Sequence, residues 1–354
     1  MHKGIPCYLR PPIVSHHRTD YERYSRPVPL PERVLIREIR SLATHPHNRM
    51  WQSRGPAIFR GIGDDCAVLR VSPDQDFLVT TDFSLEGVHF RRDWHSPESA
   101  GHRCVARGLS DIAAMGGDPL AVFLSLALPT DLPQSWVRGF IVGLTGLAQK
   151  HGASLAGGDT AQSPRGILAD IIVVGTVPKG KAVLRSGARP GDRIFVSGEL
   201  GGSAAAVVKM ENHKSKLNPK DYLKHFSPEP RVELGRVLRE RGLASAMIDT
   251  SDGLSTDLAH ICEESGVGAE IHSEQIPRAR VGKPKREVSL DLALHGGEDY
   301  ELLFTAPRAA RVPGKIRGVK ITEIGRITRS KRLTLVSAGK KEKLVPRGWE
   351  YFHE

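Results

Sequence analysis

The chain has 354 residues, 39% of them hydrophobic, and a formal net charge of +11. That length suffices for two average domains with substantial cores, and no apolar run approaches the roughly 20 residues that a membrane-spanning helix requires. The first residues lack the apolar core of a signal peptide and the four cysteines show no paired spacing, so we expect a cytoplasmic protein with reduced thiols and neither a zinc site nor disulfides.

Residues 1–30 carry five prolines and no sustained apolar period. This composition indicates an extension that is partly disordered. Order is expected to begin near residue 31 with a short amphipathic helix. Two strands, at 61–69 and 76–82, then flank a turn at 72–74.

Helices and strands alternate through the rest of the chain. The pattern predicts, in chain order, a helix at 98–115, a strand at 121–128, a helix at 134–151, strands at 167–177 and 194–197, a helix from 203, a strand that ends at 248 and a helix at 254–265. A similar succession of glycine-rich turn, helix and aspartate-rich strand end occurs in both halves. We therefore predict two domains, 31–185 and 186–354, with an α/β or α+β architecture.

Aspartates beside Gly, Ser and Thr recur along the chain. They occur at 63–65, 80–82, 110–111, 157–160 and 249–252. Small neutral neighbours cannot form ion pairs with these carboxylates, whereas carboxylate and hydroxyl oxygens are the ligands that Mg²⁺ prefers. The pattern predicts chemistry on a polyphosphate that divalent cations hold.

Each segment also has a purely structural interpretation. Residues 63–65 could be an exposed turn, and residues 80–82 could cap a helix or turn. Asp111 could pair with Arg107 four residues earlier on the same helix. Ser251 or Asp252 could be the N-cap of the helix that follows, although capping does not explain a further carboxylate at Asp249.

Two glycine-rich segments suit a phosphate without matching the Walker pattern. Residues 157–160 predict a tight turn, and residues 198–203 predict a looser turn before a helix; amides in such turns can approach an anion. Residues 296–301 place three acids around a tyrosine, which either spread along an exposed edge or serve a ligand. His89 could act as a general base.

Seven motifs, taken in order, resemble a known family. They lie at 61–69, 80–90, 109–116, 157–160, 184–192, 249–254 and 297–303. Together they resemble thiamine-monophosphate kinase, of the aminoimidazole-ribonucleotide-synthetase-like superfamily, over about residues 31–352. The resemblance implies a two-domain α/β fold whose N-terminal half binds ATP and metal and dimerises through its sheet.

The resemblance also implies roles for individual residues. Several Mg²⁺ ions are expected on Asp64, Thr80, Thr81, Asp82, Asp111, Asp159, Asp249 and Asp252. ATP is expected on Gly158, Asp159, Arg185 and Ser251, and thiamine monophosphate on His89, Glu298 and Trp349. Asp111, Asp252 and Arg185 are expected to act in catalysis, by direct in-line transfer of the ATP γ-phosphoryl group to give thiamine diphosphate.

The chain departs from the family pattern at several positions. Gly108 stands where the family usually has Asn, Ser84-Leu85 stands where it has Leu-Val, and basic insertions near 211–224 and 278–287 are longer than expected. A selenophosphate-synthetase-like enzyme is the alternative within the superfamily, but it would need a reactive Cys and Lys at the start of the core. Cys7 and Lys3 lie in the extension.

The net positive charge is consistent with one alternative that is not an enzyme, a nucleic-acid-binding protein. Basic residues cluster at 208–224, 278–286 and 308–347, and such a surface can bind nucleic acid. No recognised nucleic-acid motif accompanies these segments. We interpret them as solvated surface that could attract anionic substrates, because polynucleotide binding leaves the aspartates unexplained.

Overall fold

The computed structural model describes residues 57–60, 67–70, 73–213 and 217–349. The expected extension at 1–30, the helix expected after residue 31 and Asp64 lie outside the described residues. The described residues belong to one compact unit. Within them, no helix is long and apolar enough to cross a membrane.

Six strands form the first sheet, in the order β1-β2-β3-β6-β4-β5. They are β1 (Ala57–Arg60), β2 (Ala67–Arg70), β3 (Gln75–Leu85), β4 (Asp118–Leu128), β5 (Ser154–Gln162) and β6 (Leu168–Pro178). Neighbouring strands are antiparallel, except that β4 and β5 are parallel. Helices α1 (Pro97–Ala114) and α2 (Gln134–Lys150) pack on one face of this sheet.

Helix α1 is the central helix of the first half, and its ends follow from its sequence. The Ser96 hydroxyl accepts a hydrogen bond from the amide of Ser99, and Pro97 occupies the first turn. The helix ends before Gly116, whose φ of 68° suits a glycine. Leu109 and Ile112 are fully buried, so the apolar face of the helix fills the core against the sheet.

The second half contains a larger sheet, in the order β16-β15-β9-β14-β7-β12-β8, with β13 paired to β14. Its strands are β7 (Arg193–Ser197), β8 (Ala246–Asp249), β9 (Gly268–His272), β12 (Leu302–Ala306), β13 (Lys315–Ile316), β14 (Val319–Thr328), β15 (Leu333–Ser337) and β16 (Lys340–Lys343). The helices are α3 (Gly202–His213), α4 (Leu223–Phe226), α5 (Val232–Glu240), α6 (Leu254–Ser265) and α7 (Leu290–His295). Short 3₁₀ turns lie at Arg185–Gly187, Pro219–Asp221 and Ser273–Gln275.

A shared apolar core joins the two halves. Ala113 and Ala114 of α1 pack with Val232 and Leu234 of α5 and with Phe304 of the second sheet. The helices approach closely, because a Cβ on Gly235 would lie 2.0 Å from the carbonyl oxygen of Ala113. This packing places the end of β3 and the middle of α1 beside the second half.

The sequence predicted several of these elements correctly. The turn before β3, helices α1 and α2, strands β4, β6 and β7, and helix α6 all lie within a few residues of their predicted positions. The predicted domain boundary at 185/186 falls in the connection between β6 and β7, and it stays a prediction.

The two basic insertions meet in the fold. Strands β10 (Arg280–Val281) and β11 (Arg286–Glu287) form a small hairpin. Its turn donates a hydrogen bond from the amide of Gly282 to the carbonyl oxygen of Asp221, at 3.0 Å. Lys220, Lys283 and Lys285 are exposed on this surface.

Candidate active site

Polar side chains at the end of β3 face helix α1. Because side chains alternate along a strand, Thr80 and Asp82 point towards α1, whereas Thr81 points to the opposite side of the sheet. Thr80 is buried, and its hydroxyl donates a hydrogen bond to Oδ2 of Asp111. Three predicted metal ligands, Thr80, Asp82 and Asp111, therefore lie on the same side of the sheet.

Thr81 and Asp159 lie on the outer face of the first sheet, away from α1. The Thr81 hydroxyl donates to Oδ1 of Asp170 at 2.7 Å. Asp170 is opposite Ser125 in the register, and Ser125 is opposite Asp159, so these side chains share one face. The sequence analysis predicted Thr81 and Asp159 as metal ligands together with Thr80, Asp82 and Asp111. Within one chain, the sheet separates Thr81 and Asp159 from those three residues.

Residues 157–160 are part of a strand, and the prediction of a tight turn was wrong. They belong to β5, which pairs in parallel with β4. At Gly158 the φ angle is 150°, and a Cβ would lie 1.9 Å from the carbonyl oxygen of Leu124. The glycine is needed because the two strands approach closely there. Tertiary pairing overrides the weak strand propensity of Gly-Gly-Asp-Thr.

Asp249 brings a carboxylate of the second half to helix α1. It ends strand β8 and is 1% exposed. Its Oδ2 accepts a hydrogen bond from the hydroxyl of Ser110 at 2.6 Å. Since Ser110 precedes Asp111, the aspartates of both halves meet along one turn of α1.

The N-cap of helix α6 is neither Ser251 nor Asp252. Its N-cap is Gly253, at a φ of 118°, and the amide of Gly253 donates to Oδ2 of Asp257 at 3.0 Å. The suggestion that Ser251 or Asp252 caps this helix was therefore wrong. Asp252 keeps its carboxylate in the turn between β8 and α6.

Asp257 is a buried acid that sequence reasoning missed. Burial raises its pKa well above the usual range, and the charges of Asp252 and Asp249 raise it further, while Arg185 lowers it. These shifts place Arg185 electrostatically beside the aspartates of the second half. The hydroxyl of Ser265 donates to the carbonyl oxygen of Arg185 at 2.7 Å and holds this segment against α6. A site with so much repulsion between carboxylates favours bound cations.

Three acids of the 296–301 segment have three different partners. Glu298 accepts from Arg103 at 2.7 Å. Asp299 accepts hydrogen bonds from the amides of residues 201, 202 and 203, at the start of α3. Glu301 is fully buried and binds Arg231 through both carboxylate oxygens, at 2.6 and 2.7 Å. Only Glu298 lies beside the predicted substrate residue His89.

The backbone amides of the glycine-rich turn at 198–203 bind a carboxylate of the protein itself. The carboxylate of Asp299 occupies the amides that the sequence analysis assigned to a phosphate. Burial raises the pKa of Asp299 to about 6, although Lys224 and these amides oppose the shift. The suggestion of a phosphate in this turn was wrong, because a residue remote in sequence fills it.

Glu298 and His89 face two arginines of α1. Burial would raise the pKa of Glu298, but Arg103 and Arg107 more than offset it and hold this pKa below its usual range. His89 accepts a hydrogen bond at Nδ1 from the amide of Leu85, at 2.9 Å. Burial and then Arg107 lower the pKa of His89 to about 4, so the ring is neutral near pH 7 and carries its proton on Nε2.

Arg107 has partners on both sides of the site. Its guanidinium lies 3.6 Å from Oδ1 of Asp82 and 3.4 Å from Oε1 of Glu298, and 3.5 Å from the hydroxyl of Tyr300. Glu298 and Tyr300 have φ angles of 63° and 50°. Positive φ is strained for these residue types and is often found at functional sites.

Trp349 lies near the aspartate turn. Its amide donates to the carbonyl oxygen of Asp252 at 3.0 Å, and the amide of Gly348 donates to the hydroxyl of Thr256 at 3.0 Å. The indole is 56% exposed. The end of the described chain therefore presents an open aromatic surface beside Asp252.

Close packing explains why position 108 is a glycine. A Cβ at this position would lie 2.6 Å from Cγ2 of Val173 and 3.4 Å from Cγ2 of Thr80. Helix α1 packs so closely on β3 and β6 that an asparagine at this position has no room without rearrangement.

The described cysteines are unsuited to nucleophilic chemistry. Cys104 and Cys262 are buried, and burial raises the pKa of each thiol to about 12. A thiolate is the reactive form, so neither supports the selenophosphate-synthetase-like alternative. Cys7 and Cys66 lie outside the described residues.

The donor set suits a hard divalent cation. Asp82, Asp111, Asp249 and Asp252 offer carboxylate oxygens, and repulsion among such acids favours a cation. Among the described residues, no three acidic, histidine or cysteine side chains converge closely enough to hold a metal ion by themselves. A polyphosphate could supply further oxygen ligands, as it does at many Mg²⁺ sites.

Comparisons with known proteins agree with the architecture. Residues 63–177 match the family model for the N-terminal domain of AIR synthase related protein, and residues 189–337 match that for its C-terminal domain. The chain is 39% identical to the thiamine-monophosphate kinase of Escherichia coli (strain K12) over 303 residues, which cover 82% of this chain and 91% of that protein. It is 38% identical to the thiamine-monophosphate kinase of Bacillus subtilis (strain 168) over 251 residues, which cover 69% of this chain and 77% of that protein. A solved structure described as "AaThiL complexed with AMPPCP and TMP" has a TM-score of 0.76 and 31% identity, covering 91% of this chain and 97% of that chain.

Proposed function

The chain belongs to the thiamine-monophosphate kinase family of the AIR-synthase-related proteins, and on that basis we propose that it transfers the γ-phosphoryl group of ATP directly to thiamine monophosphate. An oxygen of the acceptor phosphate attacks the γ-phosphorus, and the bond between that phosphorus and the bridging oxygen breaks. The bridging oxygen leaves with the electron pair on ADP, and the product is thiamine diphosphate.

One observation carries the proposal. The aspartates of the two halves meet on α1, where Thr80 binds Asp111 and Ser110 binds Asp249. Arg107 of the same helix lies 3.6 Å from Asp82 and shares Glu298 as a partner with Arg103. Carboxylates that can bind metal ions therefore lie beside an arginine that can bind an anion. Phosphoryl transfer between two anions requires both kinds of group.

The acceptor needs no strong base. A phosphate monoester is already an anion at neutral pH, so the main barrier is repulsion between it and ATP. Mg²⁺, when bound, would supply charge neutralisation on Thr80, Asp82, Asp111, Asp249 and Asp252, with Asp64 as a further proposed ligand. Thr81 and Asp159 face the other side of the first sheet and would lie outside this cluster. Arg185, in the connection between β6 and β7, would add positive charge, and alignment of the two anions would supply much of the rate.

The predicted substrate residues divide into two groups. Gly158, Arg185 and Ser251 would address ATP, whereas Asp159 lies on the outer face of the first sheet, away from α1. His89, Glu298 and Trp349 would address thiamine monophosphate. A neutral His89 can donate from Nε2, an ionised Glu298 can accept from an amino group, and the open Trp349 indole can stack on a ring.

A homodimer through the first sheet is part of the proposal. Helices cover one face of this sheet, and the outer face carries Phe83, which is 56% exposed, with Phe123, Ile172 and Val174 alongside. A sheet face of this kind needs a covering layer. Thr81 and Asp159 lie on the same face, so a second copy would cover them too.

The test is an assay of purified protein with ATP, Mg²⁺ and thiamine monophosphate, with chromatographic detection of thiamine diphosphate. We expect product with a one-to-one yield of ADP, loss of activity with a chelator and recovery with Mg²⁺. Asp111→Asn and Asp252→Asn should each lower kcat/KM by about 100-fold or more, because each removes a charge that holds metal.

Asp118→Asn is the matched control. This partly exposed aspartate pairs with Arg236 at 3.3 Å and Arg239 at 3.5 Å and lies at the start of β4, so its loss should leave kcat/KM within about twofold. No thiamine diphosphate from the unmodified protein would refute the reaction. Full activity of both site variants would refute the metal assignment alone.

A further inference from the structure

Arg107 occupies the junction between the two ends of the site. Its guanidinium is 3.6 Å from Asp82, which the proposed function assigns to metal, and 3.4 Å from Glu298, which it assigns to the organic substrate. Its charge also lowers the pKa of His89. Arg107 thus pairs with both Asp82 and Glu298.

Arg103, one turn earlier on α1, has a different role. Its side chain is 4% exposed. It donates to Glu298 at 2.7 Å, to the carbonyl oxygen of His89 at 3.2 Å and to the carbonyl oxygen of His225. Three short-range acceptors in a buried place make Arg103 an anchor that fixes Glu298 and the His89 segment.

Arg107 is more open to an approaching ligand than Arg103. Its side chain is 19% exposed, and its contacts with Asp82, Glu298 and Tyr300 are 3.4 Å or longer. Charge-assisted hydrogen bonds are usually about 2.7–2.9 Å long. The guanidinium can therefore shorten contacts to an incoming anion without first breaking a tight ion pair to these three groups.

Geometry decides which anion this would be. If metal and ATP lie beside Asp82 and Asp111, and the organic part of the acceptor lies beside Glu298 and His89, then the acceptor phosphate must lie between them. Resting on the proposed function, we infer that Arg107 binds the phosphate of the acceptor substrate. It would also screen that phosphate from the carboxylates of Asp82 and Glu298, which otherwise repel it.

The inference predicts a defect confined to phosphate-bearing acceptors. Arg107→Gln should raise the Kd of thiamine monophosphate by about 10- to 100-fold, as expected for loss of a charged hydrogen-bond donor. The Kd of thiamine, which lacks the phosphate, should differ by less than about twofold between the variant and the unmodified protein. Isothermal titration of each ligand, in the presence of Mg²⁺ and a non-hydrolysable ATP analogue, measures both.

Kinetics supply a second measurement. Arg107→Gln should raise the KM for thiamine monophosphate and leave the KM for ATP within about threefold, and Arg107→Lys should recover part of the loss because it keeps the charge but not the planar fork. Arg236→Gln is the control, since it removes an arginine whose pair with Asp118 lies on the surface; it should change neither constant.

Three results separate the possible failures. Absence of thiamine diphosphate from the unmodified protein would refute the proposed function itself. With an active protein, unchanged thiamine monophosphate binding by Arg107→Gln would overturn the inference. Equal weakening of thiamine and thiamine monophosphate would also overturn it, because a general disturbance of the site does not distinguish the two ligands.

Discussion

Three histidines, the half-buried His89 and the buried His95 and His225, stay neutral in the native protein near pH 7. His95 and His225 are in contact through their Nε2 atoms at 3.0 Å, and Nδ1 of His225 lies 2.9 Å from the hydroxyl of Ser203. Burial lowers the pKa of His89 and of His95 to about 4, and it lowers that of His225 well below its usual value. The positive charge of Arg103 lowers all three further.

We predict that these histidines make the fold sensitive to acid. In the unfolded chain each binds a proton below about pH 6.5, whereas in the native state His89 and His95 stay neutral until near pH 4 and His225 has a pKa well below its usual value. Stability is therefore fully present above pH 6.5 and falls as the pH drops from 6.5 towards 4. Each histidine contributes a slope on the order of 1.4 kcal/mol per pH unit.

Urea unfolding at pH 7, 6 and 5 would measure this dependence. His225→Gln should be less stable than the unmodified protein at pH 7, because it disturbs a buried hydrogen-bond network. Its stability should nevertheless fall less steeply with acid, since one titrating group is gone. Parallel curves for the two proteins would contradict the assignment of a neutral buried His225.

At the scale of elements, the packing of α1 on β6 explains why position 108 is a glycine. Gly108 faces Val173 so closely that a Cβ would lie 2.6 Å from its Cγ2. Val173 is fully buried in the first core. Helix and strand therefore lie at a spacing that only a glycine at position 108 permits in this arrangement.

We expect Gly108→Asn to lower the free energy of unfolding by about 1–3 kcal/mol through overpacking. Val173→Ala in the same chain should recover part of the loss, since it removes Cγ2. A double-mutant cycle by denaturant unfolding would measure this coupling.

Gly146→Asn on α2 is the matched control. A Cβ there meets no atom within 4 Å, so the expected change is within about 0.5 kcal/mol. If Gly108→Asn and Gly146→Asn had the same effect, or if Val173→Ala gave no recovery, close packing would not be the reason for Gly108.

For the whole molecule, the exposed apolar face of the first sheet predicts the assembly state. We expect a dimer in solution and a monomer for Phe83→Asp, because a charge buried between two copies has no partner. Light scattering coupled to size exclusion would measure both masses. Leu223→Asp, which changes a 59% exposed leucine of α4, should leave the dimer intact. A monomeric unmodified protein, or a dimeric Phe83→Asp variant, would contradict the proposed interface.

Local pattern alone determined many of the elements of this protein and the chemical type of its site. Periodicity and helix-stop signals predicted α1, α2 and α6 because those signals act within a few residues. The recurring aspartates identified hard oxygen ligands, and the ordered motifs identified the family.

The tertiary structure decided where those residues lie and what they contact. Strand alternation and sheet register place Thr81 and Asp159 on one face and Thr80 and Asp82 on the other. The carboxylate of Asp299 accepts hydrogen bonds from a turn that the sequence pattern assigned to a phosphate. Arg107 pairs with Glu298, which is remote in sequence and outside helix α1. The physical reason is common to these cases: pairing of strands, burial of charge and choice of ionic partner depend on groups that are remote in sequence, and local pattern carries no record of them.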